Sequence, residues 1–110
     1  MASNRPYSSV EPARAEIDRI AGSAVLEFGD NYCGYCRRAQ PVIAEGLAAH
    51  ANIRHIKVAD GPGRPLGRSF RVKLWPTLVF LRDGKEVARL VRPDSVPAVS
   101  QALEQITLLD

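Results

Sequence analysis

Apolar residues fall along this chain in two rhythms, and the rhythm changes several times. Ile17 and Ile20 share one face of a segment running from Ala13 to Ala21, which predicts a short amphipathic helix ended near Gly22. Ser8 and Glu11 ahead of it stand at capping-box spacing, and Pro12 fits a first helical turn. Ala24-Val25-Leu26-Glu27-Phe28 is a compact apolar run between breakers and predicts a buried strand, with one acidic residue inside it. From Gly34 to His50 the spacing of Ala39, Val42, Ile43 and Leu47 is helical, with Pro41 inside, where a missing backbone donor predicts a kink. Ala51-Asn52 ends that helix, and Ile53 to Ala59 predicts a second strand.

Asp60 to Pro65 has loop composition, and Leu66 to Phe70 fits a helix of one or two turns. Pro76 to Leu81 predicts a third buried strand. Arg82-Asp83-Gly84-Lys85 carries the Asp-Gly hairpin signature, so Glu86 to Val91 returns as an antiparallel edge. Asp94 or Ser95 caps a last helix with Val99, Leu103 and Ile106 on one face. Early strand–helix–strand units favour parallel pairing through right-handed crossovers, and the late hairpin adds an antiparallel edge. The expected fold class is α/β: a central mixed β-sheet with helices on both faces. Residues 1–10 read as a flexible lead and 11–110 as one domain.

Composition narrows the classes without choosing among them. The chain has 110 residues, 45% hydrophobic and 25% charged, ordinary for a globular protein and long enough to bury a core. A formal net charge of +3, spread mainly over scattered arginines, is weak support for nucleic-acid binding. Solvated surface charge is the favoured reading of Arg37, Arg38, Arg64, Arg68 and Arg71, and no nucleic-acid partner is expected. The N-terminal stretch has no apolar run of the secretory kind. No segment approaches the roughly 20 apolar residues of a spanning helix. The expectation is a monomer in the cytoplasm, without a membrane partner.

Chemistry concentrates in Asn31-Tyr32-Cys33-Gly34-Tyr35-Cys36-Arg37-Arg38, which holds both cysteines of the chain. In a reducing compartment a CxxC pair reads as redox or metal chemistry more than as a staple. The pair falls where the first strand gives way to the long helix. Unpaired N–H groups at a helix start stabilise a thiolate, so Cys33 is the expected nucleophile. Cys36 lies one turn on along the same face, within reach to resolve a mixed disulfide on Cys33. Gly34 leaves room for a substrate backbone. Glu27, buried in a strand six residues before Cys33, is expected to have a raised pKa and to exchange a proton with Cys36. An end-of-strand glutamate reaching solvent remains the other reading.

These residues resemble the thioredoxin family. The strand Val25-Leu26-Glu27-Phe28, the motif Cys33-Gly34-Tyr35-Cys36, Pro41, the step Trp75-Pro76-Thr77 and the Asp83-Gly84 turn occur in the family's order and near its spacing, over roughly residues 12–108. The resemblance implies a thioredoxin-like fold and a protein-disulfide oxidoreductase without cofactor. Its substrates would be disulfide-containing proteins, and its reductant thioredoxin reductase or glutathione. It implies that Pro76 is a cis-proline facing the sulfurs and that Trp75 and Pro76, with Gly34 and Tyr35, bind the substrate backbone. Departures are also plain. Gly34-Tyr35 replaces the usual Gly-Pro and looks more like the bacterial disulfide isomerases, which implies a more oxidising couple. Glu27 stands for the family's buried aspartate, and Gly29 and Tyr32 for its two tryptophans. The lysine that partners the buried acid aligns with Ile56, so Lys57, one residue off, is expected on the opposite face. A glycine of the family's docking surface falls near Arg92-Pro93. These changes bear on recognition by thioredoxin reductase more than on thiol exchange.

Two other readings stay open. The spacing C-x2-C-x13-H-x4-H through His50 and His55 matches a general zinc pattern, although His55 falls in strand-like sequence rather than on a helix. Otherwise His50 is a helix-end residue and His55 a surface strand residue, neither near the sulfurs. The second is a binding module that keeps the fold without turnover.

Overall fold

The computed structural model describes residues 5–50 and 52–107. Residues 1–4 of the expected lead, Ala51 of the expected helix end and residues 108–110 lie outside the described residues. The element order is α1 (Arg14–Asp18), β1 (Ser23–Gly29), α2 (Gly34–Ala48), β2 (Arg54–Ala59), α3 (Pro65–Ser69), β3 (Thr77–Arg82), β4 (Lys85–Val91) and α4 (Val96–Thr107). Each expected element is present, with ends displaced by a few residues at most. Helix α2 continues through Pro41 to Ala48, and His50 lies just beyond it, donating its N–H to Leu47 O at 3.1 Å. Ser95, not Asp94, caps α4, its Oγ accepting from Ala98 N at 3.3 Å.

The four strands lie in the order β2-β1-β3-β4. Strands β1 and β2 are parallel, whereas β3 is antiparallel to both β1 and β4. Asp83 and Gly84 both have positive φ, 51° and 79°, the backbone a two-residue hairpin of the right twist requires. Alternation along the strands divides the core in two. Leu26, Phe28, Val79 and Leu81 face Ile17, Leu66 and Phe70. Val25, Leu78 and Phe80 face Ile43, Val99, Leu103 and Ile106. Each fully buried large aliphatic or aromatic side chain contributes about 1.5–3 kcal/mol, so both layers are held chiefly by apolar burial.

The N-terminal segment departs from expectation. Ser8 does not cap α1. Its N–H donates to Lys57 O at 3.0 Å and its carbonyl accepts from Ala59 N at 2.9 Å, making a parallel bridge to β2. The cap of α1 is Ala13, and Glu16 reaches back to its N–H at 3.0 Å. Residues 5–10 are therefore a strap laid along the edge strand rather than a loose lead, because the outer backbone groups of β2 need partners. The strap buries Tyr7 beneath the first helix turn of the cysteine motif.

Candidate active site

Cys33 ends the loop after β1 and serves as N-cap of α2, with φ −85° and ψ 122°. Its N–H donates to Asp30 O at 3.1 Å, and its Sγ accepts from Cys36 N at 3.3 Å. A helix-start amide therefore points at the sulfur, as it would at a bound anion. Cys33 is partly exposed, whereas Cys36 is 1% exposed, and both thiols are free. Burial first, then the hydrogen bond and charge of Cys33, push the Cys36 pKa up to about 12. The Asp30 backbone and a hydrogen bond with Tyr7 oppose that rise.

Gly29 makes this arrangement possible. A Cβ there would sit 2.5 Å from Tyr7 Cζ and 2.8 Å from Cys36 Sγ, closer than carbon atoms approach. The position that carries tryptophan in the resembled family is thus left empty, and the Tyr7 ring enters from the strap. Its hydroxyl donates to Glu27 Oε2, which also accepts from Gln40 Nε2 at 2.9 Å. Glu27 Oε1 meets His55 Nε2 at 2.9 Å. Gln40 further donates to Cys36 O at 3.0 Å, and its Oε1 accepts from Lys57 Nζ at 2.7 Å.

Three expectations are corrected by this cluster. Glu27 is fully buried, so it does not reach solvent, but its pKa is not raised. Burial is the largest single influence and pushes upward. Hydrogen bonds from His55, Gln40 and Tyr7, with the charge of Lys57, together outweigh it and hold the carboxyl below its usual range. Lys57 is not on the opposite face: the parallel register pairs it with Glu27, while Ile56 packs into the other core layer. Burial pulls the Lys57 pKa down against the opposing charge of Glu27. His55 is not a surface residue either; its side chain is 7% exposed and occupied with Glu27. Among the described residues, no group of three or more His, Cys, Asp or Glu side chains is placed to hold a metal ion. His55 lies on β2 against Glu27, and His50 just past the end of α2.

The other flank is exposed. Phe28 pairs with Thr77 across β1 and β3, which brings Trp75-Pro76 beside the end of β1 and the cysteine loop. The Trp75–Pro76 bond is cis. Trp75 Nε1 donates to Asp60 Oδ2 at 3.0 Å. Its carbonyl already accepts from Arg92 Nε at 2.8 Å, and Pro76 O accepts from Arg92 N at 2.8 Å. Tyr35 is half-exposed, with the Arg92 guanidinium 3.6 Å and the Arg38 guanidinium 4.8 Å from its ring centroid. Gly34 opens to space, with nothing within 4 Å of where a Cβ would be. Sequence reasoning missed Tyr7 and Gln40, and marked Arg92 only as standing near a glycine of the resembled family's docking surface. Of the two missed, only Tyr7 left a signal, as a lone aromatic in a polar stretch opposite a glycine where a large residue was expected.

Two thiols stand one helical turn apart at a helix start, one partly exposed and one buried, an arrangement suited to thiol–disulfide exchange. Residues 10–105 match the Thioredoxin family model, and the chain belongs to that family. The structure of thioredoxin 2 from Pseudomonas aeruginosa PAO1, in its reduced form, superposes with a TM-score of 0.86 at 52% identity, covering 97% of this chain and 99% of that one. Among curated relatives, thioredoxin H2-1 of Oryza sativa subsp. japonica is 33% identical over 70 residues, or 64% of this chain and 51% of that protein. The thioredoxin of Chlamydia pneumoniae is 36% identical over 74 residues, 64% of this chain and 70% of its own. The chain thus spans about half the length of the rice relative it matches. No helix among the described residues is long and apolar enough to cross a membrane.

Proposed function

We propose that this chain reduces or exchanges disulfides in protein substrates by a two-thiol cycle, with Cys33 as nucleophile and Cys36 as resolving thiol. The Cys33 thiolate attacks one substrate sulfur, and the other leaves as a thiolate. Cys36 then gives up its proton and attacks Cys33, breaking the mixed disulfide. Two electrons pass to the substrate, and a Cys33–Cys36 disulfide remains.

The observation that carries this reading is the hydrogen bond from Cys36 N–H to Cys33 Sγ at the start of α2, with a buried proton route behind it. Two of the influences that raise the Cys36 pKa come from the Cys33 thiol itself. Both lapse once Cys33 is tied up in a mixed disulfide, so Cys36 becomes easier to ionise at the step that needs it. Glu27 is the proton acceptor, through Tyr7: the thiol proton moves to the phenol oxygen as the phenol proton moves to Glu27 Oε2. A carboxylate held below its usual range is a weak resting base. The transfer is therefore concerted with sulfur attack and leaves no standing Cys36 thiolate. Trp75-Pro76 and Gly34-Tyr35 form the substrate platform. Since Arg92 already occupies the Trp75 carbonyl, the Trp75 N–H carries the substrate bond.

Thioredoxin reductase or glutathione recharges the pair, and a reducing compartment such as the cytoplasm suits it. The working unit is a monomer. Mass-spectrometric trapping tests the cycle. Cys33→Ser abolishes disulfide reduction, and Cys36→Ser accumulates mixed disulfides. Normal turnover by Cys36→Ser would refute the two-thiol cycle, and no reduction by the unmodified chain would leave a non-catalytic binding module.

A further inference from the structure

Cations gather beside the proposed platform with little to neutralise them. On one side of Trp75 lies a groove of about 600 Å³ bordered by Arg68, Arg71 and Lys73. All three are exposed, and none makes a side-chain hydrogen bond or ion pair among the described residues. A separate recess of about 410 Å³ is bordered by Arg38 and Arg92, both on the Tyr35 ring. Trp75 lines the groove, and Arg92, which lines the recess, holds the Trp75 carbonyl. The acids present are Asp60, already engaged by the Trp75 indole, and Asp94. Arg64, which also borders the groove, is paired with Glu11. Five free or ring-bound cations against two carboxylates leave +3 here, equal to the formal net charge of the whole chain. The remaining Lys, Arg, Asp and Glu residues balance to zero in formal charge.

Backbone geometry adds to this. Arg71 and Arg92 stand on left-handed backbone, φ 57° and 51°. Glycine adopts that conformation without steric cost, and arginine does not. The Arg92 guanidinium is pinned by the Tyr35 ring and, through Nε, by the Trp75 carbonyl. A pinned guanidinium binds a carboxylate with less loss of side-chain freedom than a loose lysine does.

We propose that this surface selects disulfide substrates whose cysteine is flanked by acidic residues, the substrate chain crossing Pro76 with carboxylates on both sides of Trp75. This rests on the disulfide-reducing function above and adds the class of partner. Opposite charge speeds encounter and sets register, and salt screens it.

Paired peptide disulfides that differ only in glutamate or lysine beside the cysteine test the proposal. For the unmodified chain kcat/KM is at least tenfold higher for the glutamate peptide at low ionic strength, and the ratio falls towards unity as salt rises. In Arg68→Gln/Lys73→Gln, and separately in Arg92→Gln, the ratio falls severalfold. Reading the ratio within each variant cancels any general loss of activity. Equal rates for the two peptides, or a ratio insensitive to salt and to both variants, would overturn the acidic-substrate surface while leaving disulfide reduction intact. No reduction of either peptide would overturn both.

Discussion

The two flanks of the cysteine pair are built by opposite means. Behind the sulfurs, Tyr7, Glu27, Gln40, His55 and Lys57 form one buried cluster, and no buried side-chain polar atom among the described residues lacks a partner. In front, Arg92 lies on the half-exposed Tyr35 ring and holds the Trp75 carbonyl. In the low-dielectric interior each bond is strong and each lost partner costly. At the surface the same groups contribute little to stability and much to encounter. In the proposed cycle the rear flank governs when Cys36 loses its proton, and the front flank governs which chains arrive.

That contrast is broken most severely at Glu27. Glu27→Ala leaves Lys57 buried without its counter-charge and strips Tyr7, Gln40 and His55 of a shared acceptor. The expected loss is about 3–5 kcal/mol, read by denaturant unfolding at neutral pH. The pH dependence has a definite sign. Because the folded pKa of Glu27 lies below its ordinary value, its contribution is present above the unfolded carboxyl's pKa and is lost as pH falls through the folded one. The gap between parent and variant therefore closes in acid.

Gly29→Ala comes next. Its methyl group lands on Tyr7 and Cys36, and overpacking of this kind costs about 1–3 kcal/mol. Thermal unfolding reads the loss, and faster alkylation of Cys36 accompanies it as the ring and sulfur are forced apart.

Tyr7→Phe keeps the ring and removes the hydroxyl, leaving one site on Glu27 Oε2 unfilled. A loss of about 1–2 kcal/mol follows. The sharper effect is kinetic: release of substrate from the Cys33 mixed disulfide slows about tenfold or more and becomes steeply faster with rising pH, which stopped-flow measurement reads.

The reduced form also has an alkaline limb. Burial holds the Cys36 thiol to about 12 in the folded state, above the value of an unfolded cysteine. Its stabilising contribution is whole below the unfolded value and is lost towards about 12, by up to about 1.4 kcal/mol per pH unit. The oxidised form has no such proton, so the two stability curves diverge above about pH 9.

On the front flank Arg92→Ala is the mildest change, costing under about 1 kcal/mol in chemical denaturation. A loss as large as that at Glu27 would erase the distinction between the flanks.

The rear flank was also the harder to read from sequence. Strands β1 and β3 were legible nearly to the residue because short, mainly apolar runs ended at glycine, proline and the Asp-Gly turn. The cysteine pair was legible because its chemistry is local to one helix start. Lys57 and His55 were misplaced because their facing depends on the parallel register of β1 and β2, which no local pattern encodes. Tyr7 was missed because a single aromatic in a polar segment carries no periodicity. Ser8–Glu11 had the letters of a capping box, but β2 claimed the Ser8 backbone first.

The most direct test of the two-thiol cycle is an equilibrium redox titration in metal-free glutathione buffers, followed by Trp75 fluorescence and thiol counting. The cycle predicts one reversible two-electron transition in which both thiols vanish together, with a potential between about −270 and −180 mV. No transition, with both thiols unchanged across the series, would contradict it.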